Sequence, residues 1–480
     1  METGNNPLTK LTVDLKLILY LDSTKFSYSI FNPDNNCFEL VEEKKINYNN
    51  NITEEIQSII NTNQHLNKKY PTILLAVDLG PSTLIPEVLF EEKNIENYID
   101  FLTIQIGEEQ RDFNRLKENK NNRLDILEEG DESSPWFLYS QAEIHLQWAG
   151  NRLKFEEYLT AAYEINKAYR LLTKNQEIHP YFILNMKSLG ILHSLIGSIP
   201  NKYSWALSTI GMEGSVSQGM TEMQSLIDSV KKNTEYAFII DETYFMYSFL
   251  KMNLQNDPTG LQLILNDIKR SNNLLLNFAA CQLASKLRKN DLAISILEKR
   301  IQTNAHYPFY YLEYLLGVFK QNKLNPSAIK HFEKYVSFFE GQSYIKSAYM
   351  RISWHYLLQG DFNNFKQAQD NINNYGNILV DSDKEAQNFF EKRSQPNLHL
   401  LKSRLLFDGG YHSKALKSLK KIKNPVQLSN VKHIIEYFYR KGRIYDEMQK
   451  ISLAKENYQK TIDLGRNANY FFAAKSALQL

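Results

Sequence analysis

Two periodicities divide this chain. Leu11, Val13, Leu15, Leu17 and Leu19 alternate with polar positions, the period of two that a half-buried strand requires. A turn at Asp22-Ser23-Thr24-Lys25 follows, and Phe26, Tyr28 and Ile30 resume the alternation. Asn32-Pro33-Asp34-Asn35-Asn36 is dense in turn-forming residues, and a third short strand is predicted over 38–41. Thr53 has the chemistry of a helix N-cap ahead of Ile56, Ile59 and Ile60, which share one helical face. The apolar run 72–77 predicts a fourth strand, so the order is β-β-β-α-β.

From about Pro86 onward the apolar residues recur at three and four, the spacing of an amphipathic helix. Tyr98, Leu102 and Gln105 begin that pattern. The stretch 108–122 is dominated by charge and predicts a solvated helix or connector. Glu128-Glu129-Gly130-Asp131-Glu132 interrupts the periodicity, and Ser134-Pro135 restarts it, with Ser as N-cap and Pro in the first turn. Trp136, Tyr139, Ala142 and Leu146 mark the next apolar face.

Beyond residue 134 the pattern repeats. Its sharpest copy is the last, where Phe438, Gly442, Tyr445, Ala454, Tyr458 and Thr461 fall at the spacing of a tetratricopeptide repeat. In such a motif two antiparallel helices meet: Gly442 and Ala454 permit the close approach, and Phe438, Tyr445 and Tyr458 fill the seam. Weaker copies carry Ala161, Ile165 and Ala168, then Ala293 with Leu297, then Ala328 with Phe332 and Tyr335. Gly360-Asp361-Phe362, and Gly410-Tyr411 ahead of Ala415 and Leu419, predict tight turns between paired helices. At about 34 residues per repeat, 134–480 has room for about ten helix pairs. Residues 187–219 depart from the rule, with Gly190, Gly197, Pro200, Trp205, Gly211, Gly214 and Gly219. They predict turns or close backbone approaches, read either as an irregular helix-turn-helix or as a loop that lines a groove.

Composition narrows the class. With 43% hydrophobic and 23% charged residues the chain is that of a folded, soluble protein. Basic and acidic residues number 56 and 54, a net charge of +2, which excludes a chain-wide attraction to nucleic acid. Cys37 and Cys281 lie far apart and lack metal-ligand spacing, so two reduced thiols are expected. No run approaches the ~18 apolar residues of a membrane span. The apolar run 11–21 is broken by Asp14 and Lys16, unlike a secretion signal, so a cytoplasmic protein is expected.

Two resemblances follow, one for each part. Residues 98–480 resemble an uncharacterised bacterial tetratricopeptide family through Tyr98-Ile99-Asp100-Phe101-Leu102, Ser134-Pro135-Trp136, Gln141-Ala142-Glu143-Ile144-His145-Leu146-Gln147-Trp148, Ile165-Asn166-Lys167-Ala168-Tyr169-Arg170-Leu171-Leu172 and Ile199-Pro200-Asn201-Lys202-Tyr203. Trp205 with Gly211, Gly214 and Gly219 is similar to the core of the inclusion-body-clearance class of tetratricopeptide proteins. Members of the first family usually begin with a secretion signal and extra helices; neither is read in this sequence, so the family's export is not expected here. Residues 8–97 resemble the first part of a small bacterial family of unknown function with an actin-like, ribonuclease-H-like fold. The β-β-β-α-β order and Ser82-Thr83-Leu84-Ile85-Pro86-Glu87-Val88-Leu89-Phe90 carry that likeness. The two resemblances meet inside 94–98, as a gene fusion there would place them.

The expected fold is therefore mainly α: a partial actin-like α+β segment (1–95), a helical connector or cap (96–133) and a tetratricopeptide-like solenoid of helix pairs (134–480). Actin-like proteins hold phosphates with glycine-containing hairpins. The first hairpin here, Asp22-Ser23-Thr24, has no glycine, and Asp78-Leu79-Gly80-Pro81-Ser82-Thr83 follows the fourth strand instead. The ten histidines show no metal or catalytic spacing, and His145 beside Glu143 reads as a satisfied, partly buried side chain. No nucleophile elbow, phosphate loop or dinucleotide fingerprint occurs. No catalytic residue, cofactor or metal is expected.

The one suggestive charge feature is Lys414, Lys417, Lys420, Lys421 and Lys423. Of these, Lys414, Lys417 and Lys421 share a helical face that fits an acidic peptide or anionic head group, or is simply a solvated outer face. The expected function is a non-catalytic interaction scaffold that holds a peptide or helix of another protein on its concave face. The alternatives are a nucleotide-responsive regulator with an actin-like N-terminal domain and an envelope- or lipid-associated factor.

Overall fold

The computed structural model describes residues 16–22, 25–32, 37–45, 52–66, 70, 72–78, 92–130, 132–200, 202, 210–232, 236, 239–268, 273–301, 307–393 and 395–480. By packing, the chain divides into two units: Met1–Thr83 with Ile301–Tyr307, and Leu84–Arg300 with Pro308–Leu480. The first unit shows the expected β-β-β-α-β order: β1 (Lys16–Asp22), β2 (Lys25–Asn32), β3 (Cys37–Lys45), α1 (Ile52–Thr62) and β4 (Thr72–Asp78). The strands order β3-β2-β1-β4, with β1 antiparallel to β2 and parallel to β4. Alternation sets the faces: Leu17, Phe26, Tyr28 and Ile30 are buried together with Leu66, against Ile56, Ile59 and Ile60 of α1. Helix α1 begins at Ile52, so Thr53 lies within its first turn rather than capping it. The glycine-bearing segment 79–83 and the motif 82–90 lie outside the described residues, as does Trp205.

The second unit is helical. Its first helix, α2 (Glu92–Gly107), runs unbroken through 94–98, so the expected boundary at 95/96 falls inside an element. Next come α3 (Gln110–Leu116) and α4 (Asn119–Glu128). The charge of 108–122 predicts a solvated helix or connector; the segment is largely helical, but Phe113, Leu116 and Lys120 within it and Arg123 just beyond it are buried. Their charges are neutralised locally: Arg123 pairs with Asp100 at 2.6 Å and Lys120 with Glu164 at 2.6 Å.

Eight helix pairs follow among the described residues: α5 (Pro135–Lys154) with α6 (Tyr158–Ile178), α7 (Asn185–Gly197) with α8 (Val216–Lys232), and α9 (Ile240–Leu254) with α10 (Thr259–Ile268). Then come α11 (Leu274–Lys286) with α12 (Asn290–Glu298), α13 (Tyr311–Asn322) with α14 (Ala328–Phe338), and α15 (Ile345–Gln359) with α16 (Phe362–Asn374). A single helix α17 (Asp381–Glu391) precedes α18 (Leu398–Asp408) with α19 (His412–Leu419) and α20 (Val431–Glu447) with α21 (Ile451–Gly465); α22 (Phe471–Ala477) is last. As its sequence predicts, Ser134 caps α5, its side chain accepting from the Trp136 amide, with Pro135 in the first turn.

One turn recurs between paired helices. A single left-handed residue, Glu156, Arg288, Leu324, Gly360, Gly410 or Gln449, sits two positions beyond the last residue of the first helix, or directly after it at Gly360. The next amide returns to a carbonyl five residues back in every case, as Asp361 to Tyr356 and Lys450 to Tyr445 do at 2.9 and 2.8 Å. This closes the orphaned carbonyls of the helix end. Four residues into the second helix, Ala161, Ala293, Ala415 and Ala454 are each fully or almost fully buried, and a larger residue follows one turn later.

The pair α7–α8 is the exception. It is joined by the long segment 198–215, and its glycines mark direct backbone contact. A carbon added at Gly219 would lie 2.2 Å from the Gly190 carbonyl oxygen, and one at Gly197 2.3 Å from the Val216 nitrogen. At the other end of the unit's first helix, the Glu108 carboxylate accepts the Ser343 amide at 3.0 Å and pairs with Lys154 at 2.5 Å. Gly341 packs on the Gly107 carbonyl, where a side chain has no room.

Candidate functional site

Helix α19 is short, and alternate faces of it do different things. Ala415, Leu416 and Leu419 are buried in a core with Leu400, Leu406 and Tyr437. Lys414 and Lys417 project from the other side, Lys421 follows two residues beyond the helix end, and the three line one pocket of about 340 Å³. Lys402 of α18 joins them, a fourth cation that the reading of a single helix could not find. Lys420 and Lys423 do not line the pocket.

The opposite wall is Leu324, Asn325 and Pro326 from the α13–α14 turn, with His355, Leu358 and Gln359 of α15. No carboxylate is among the lining residues. Among the described residues, none of the four ammonium groups lies within ion-pair distance of an acid. Lys414 rests 5.4 Å from the centre of the Tyr411 ring. Asp291 is held ionised below its ordinary range chiefly by the hydrogen bond from Lys323, and Lys414 adds to that field. Burial pushes the His399 imidazole down, and Lys421 and Lys402 push it the same way. The local potential is positive.

A second, larger concavity lies near the C-terminal end, lined by α15, α17, α18, α20 and the start of α22, about 880 Å³ in volume. Its charges are largely satisfied. Arg404 meets Glu385 at 2.6 Å and Arg440 meets Glu436 at 2.6 Å, while Arg443 stacks on Phe407 at 4.4 Å.

The signature residues are structural. Gly442, Ala454, Tyr458 and Thr461 are buried in the α20–α21 pair with Tyr445 half-buried beside them, and Phe438 is buried in the core with Leu416 and Leu419 of α19. His145 is buried too, with Nδ1 2.5 Å from Glu164 rather than paired with Glu143. Burial alone would raise the Glu164 carboxyl, but hydrogen bonds from His145 and Lys120 hold it below its ordinary value. That is an internal ion cluster.

Against known families, one match is found. Residues 8–140 match the family described as "Protein of unknown function (DUF3822)". The match covers the strands of the first unit and continues through α2, α3 and α4 into α5. It spans the 94–98 segment at which the two sequence resemblances meet. No curated protein matches the chain. Among the described residues no group of His, Cys, Asp and Glu could hold a metal ion, and no helix is long and apolar enough to cross a membrane.

Proposed function

We propose that the protein is a non-catalytic interaction scaffold of the tetratricopeptide type, and that an acidic segment of a partner protein docks at the four-lysine pocket. The observation that carries this reading is the convergence of Lys402, Lys414, Lys417 and Lys421 on one depression without a lining carboxylate. Four ammonium groups held near one another repel, and an anionic ligand relieves that repulsion. Leu324, Leu358 and Leu406 on the walls give the ligand an apolar contact as well. The recurrent turn and the buried alanine of the second helices support the repeat assignment.

The test is fluorescence anisotropy with a labelled Asp/Glu-rich decapeptide and its Asn/Gln counterpart, in low and high salt. The acidic peptide should bind and the neutral one should not, with affinity falling as salt rises. Lys417→Glu with Lys421→Glu should weaken binding by about tenfold or more. The same charge change at Lys420 and Lys423, outside the pocket, should leave it near the wild-type value. Equal losses from both double variants would show a diffuse charge effect and refute the pocket; so would binding to anionic phospholipid vesicles but not to the peptide.

A further inference from the structure

The second unit carries a half-open cavity of about 880 Å³ with largely apolar walls, separate from the lysine pocket. Helix α2 forms one side, and the first helices of successive pairs, α5, α7, α9, α11 and α13, form much of the rest, with Ala162 and Ile165 of α6 and Ile199, Ile210 and Met212 between α7 and α8. Phe101, Leu146, Ile191, Met246 and Phe278 typify its lining. Into this apolar wall the fold builds one charged group of three. Lys187 is 2% exposed and donates to Glu143 at 2.8 Å and to Glu242 at 3.0 Å. Glu143, 7% exposed, is completed by the Ser188 hydroxyl on its other oxygen. Glu242 has Lys187 as its one recorded polar partner among the described residues, through Oε2, and it lines the cavity.

Two carboxylates thus share one ammonium ion. Burial pushes the Glu242 carboxyl up, whereas both glutamates together hold Lys187 well above its ordinary value despite its burial. With both carboxylates ionised, the three groups carry one net negative charge. An anionic head group would meet two carboxylates and an ammonium already spoken for, and is disfavoured. The other charged lining pair, Glu108 with Lys154, is closed at 2.5 Å.

A volume of about 880 Å³ lies within the range of small-ligand sites. We propose that the cavity binds a small amphiphile, a single alkyl or aryl body ending in a protonated amine, with the amine on Glu242.

Isothermal titration with dodecylamine, dodecanol and dodecanoate, each below its aggregation concentration, tests this on the full chain. Dodecylamine should bind one to one, about tenfold or more tighter than dodecanol, with dodecanoate weakest. Glu242→Gln should remove the preference for the amine over the alcohol. Leu195→Trp, on a half-exposed wall residue, should weaken binding by about tenfold by narrowing the space, and reports the location even if Glu242→Gln fails to fold. Equal binding of amine and alcohol to wild type, tightest binding of dodecanoate, unchanged affinity in Leu195→Trp, or no binding at all would each overturn the proposal.

Discussion

Gly442 of α20 lies directly against the ring of Tyr458 on α21: a carbon added at Gly442 would come 2.8 Å from Cδ1. Gly317 of α13 meets Phe332 of α14 at the same 2.8 Å, so two pairs use one device. The ring takes the space that the glycine leaves, and Ala454 or Ala328 one turn earlier keeps the axes close.

Gly442→Leu should therefore overpack the α20–α21 seam and cost on the order of 1–3 kcal/mol, while Lys455→Ala on the exposed side of α21 should cost nearly nothing. Thermal melts followed by circular dichroism read the difference. Equal melting of both variants would show that the seam is not tightly packed.

Gln449 occupies the left-handed turn between the same helices, at φ 56°, with an exposed side chain. An ordinary side chain in that conformation carries strain of about 1 kcal/mol, which glycine lacks. Gln449→Gly should stabilise the fold slightly or leave it unchanged in chemical denaturation, whereas glycine at the helical neighbour Glu447 should destabilise it by about 1 kcal/mol. A loss at Gln449 as large as that at Glu447 would contradict the turn geometry.

Asp383, fully buried at the start of α17, caps α15 from outside, accepting the Tyr344 and Ser347 amides at 2.7 and 2.9 Å. Burial raises its carboxyl to about 6, against the lowering effect of those amides. A folded value above the unfolded one means that the folded chain binds the extra proton, so stability is lost as pH rises through about 6. Asp383→Asn should remove that slope between pH 4 and 7, a difference on the order of 1–3 kcal/mol. Parallel pH–stability curves for the two proteins would refute the assignment.

Glu313 behaves in the opposite sense. Burial would raise its carboxyl, but His331, Lys334 and Arg300, at 2.7, 2.9 and 2.5 Å, bring it down to about 2. Its contribution is present above the unfolded value of ~4.3 and lost as pH falls toward 2. Glu313→Gln should cost about 2 kcal/mol at pH 7, less than a wholly buried pair because Lys334 is half in solvent, and nothing further at pH 2. A variant as stable as wild type at neutral pH would show that the cluster is idle.

Much of this architecture could be read from residue patterns, and the gaps have identifiable causes. Period-two alternation placed the strands because one sheet face is buried, and the helix pairs follow from small residues at fixed offsets. Glycine announced only two of the six equivalent turns, at Gly360 and Gly410. At Glu156, Arg288, Leu324 and Gln449 tertiary packing enforces the same conformation on side chains that do not favour it. The charge of 108–122 misled because Lys120, like its neighbour Arg123, is neutralised by a partner remote in sequence, Glu164 for the one and Asp100 for the other. Three lysines of the pocket stand close in sequence and are visible as a stripe, although only Lys414 and Lys417 lie on α19. Lys402 and the Lys187 group depend on contacts between helices, which periodicity does not encode.

The Glu108 contact with Ser343 bridges 235 positions of chain. Repeat arrays ordinarily hold only their neighbours, so they fray and stretch from either end like a spring. A clasp between α2 and the α14–α15 connection ties the intervening pairs into a loop, and each doubling of such a loop adds only about 0.6 kcal/mol to its closure entropy. Under mechanical load, the five helix pairs inside the clasp should yield together, after those beyond residue 345 have already let go.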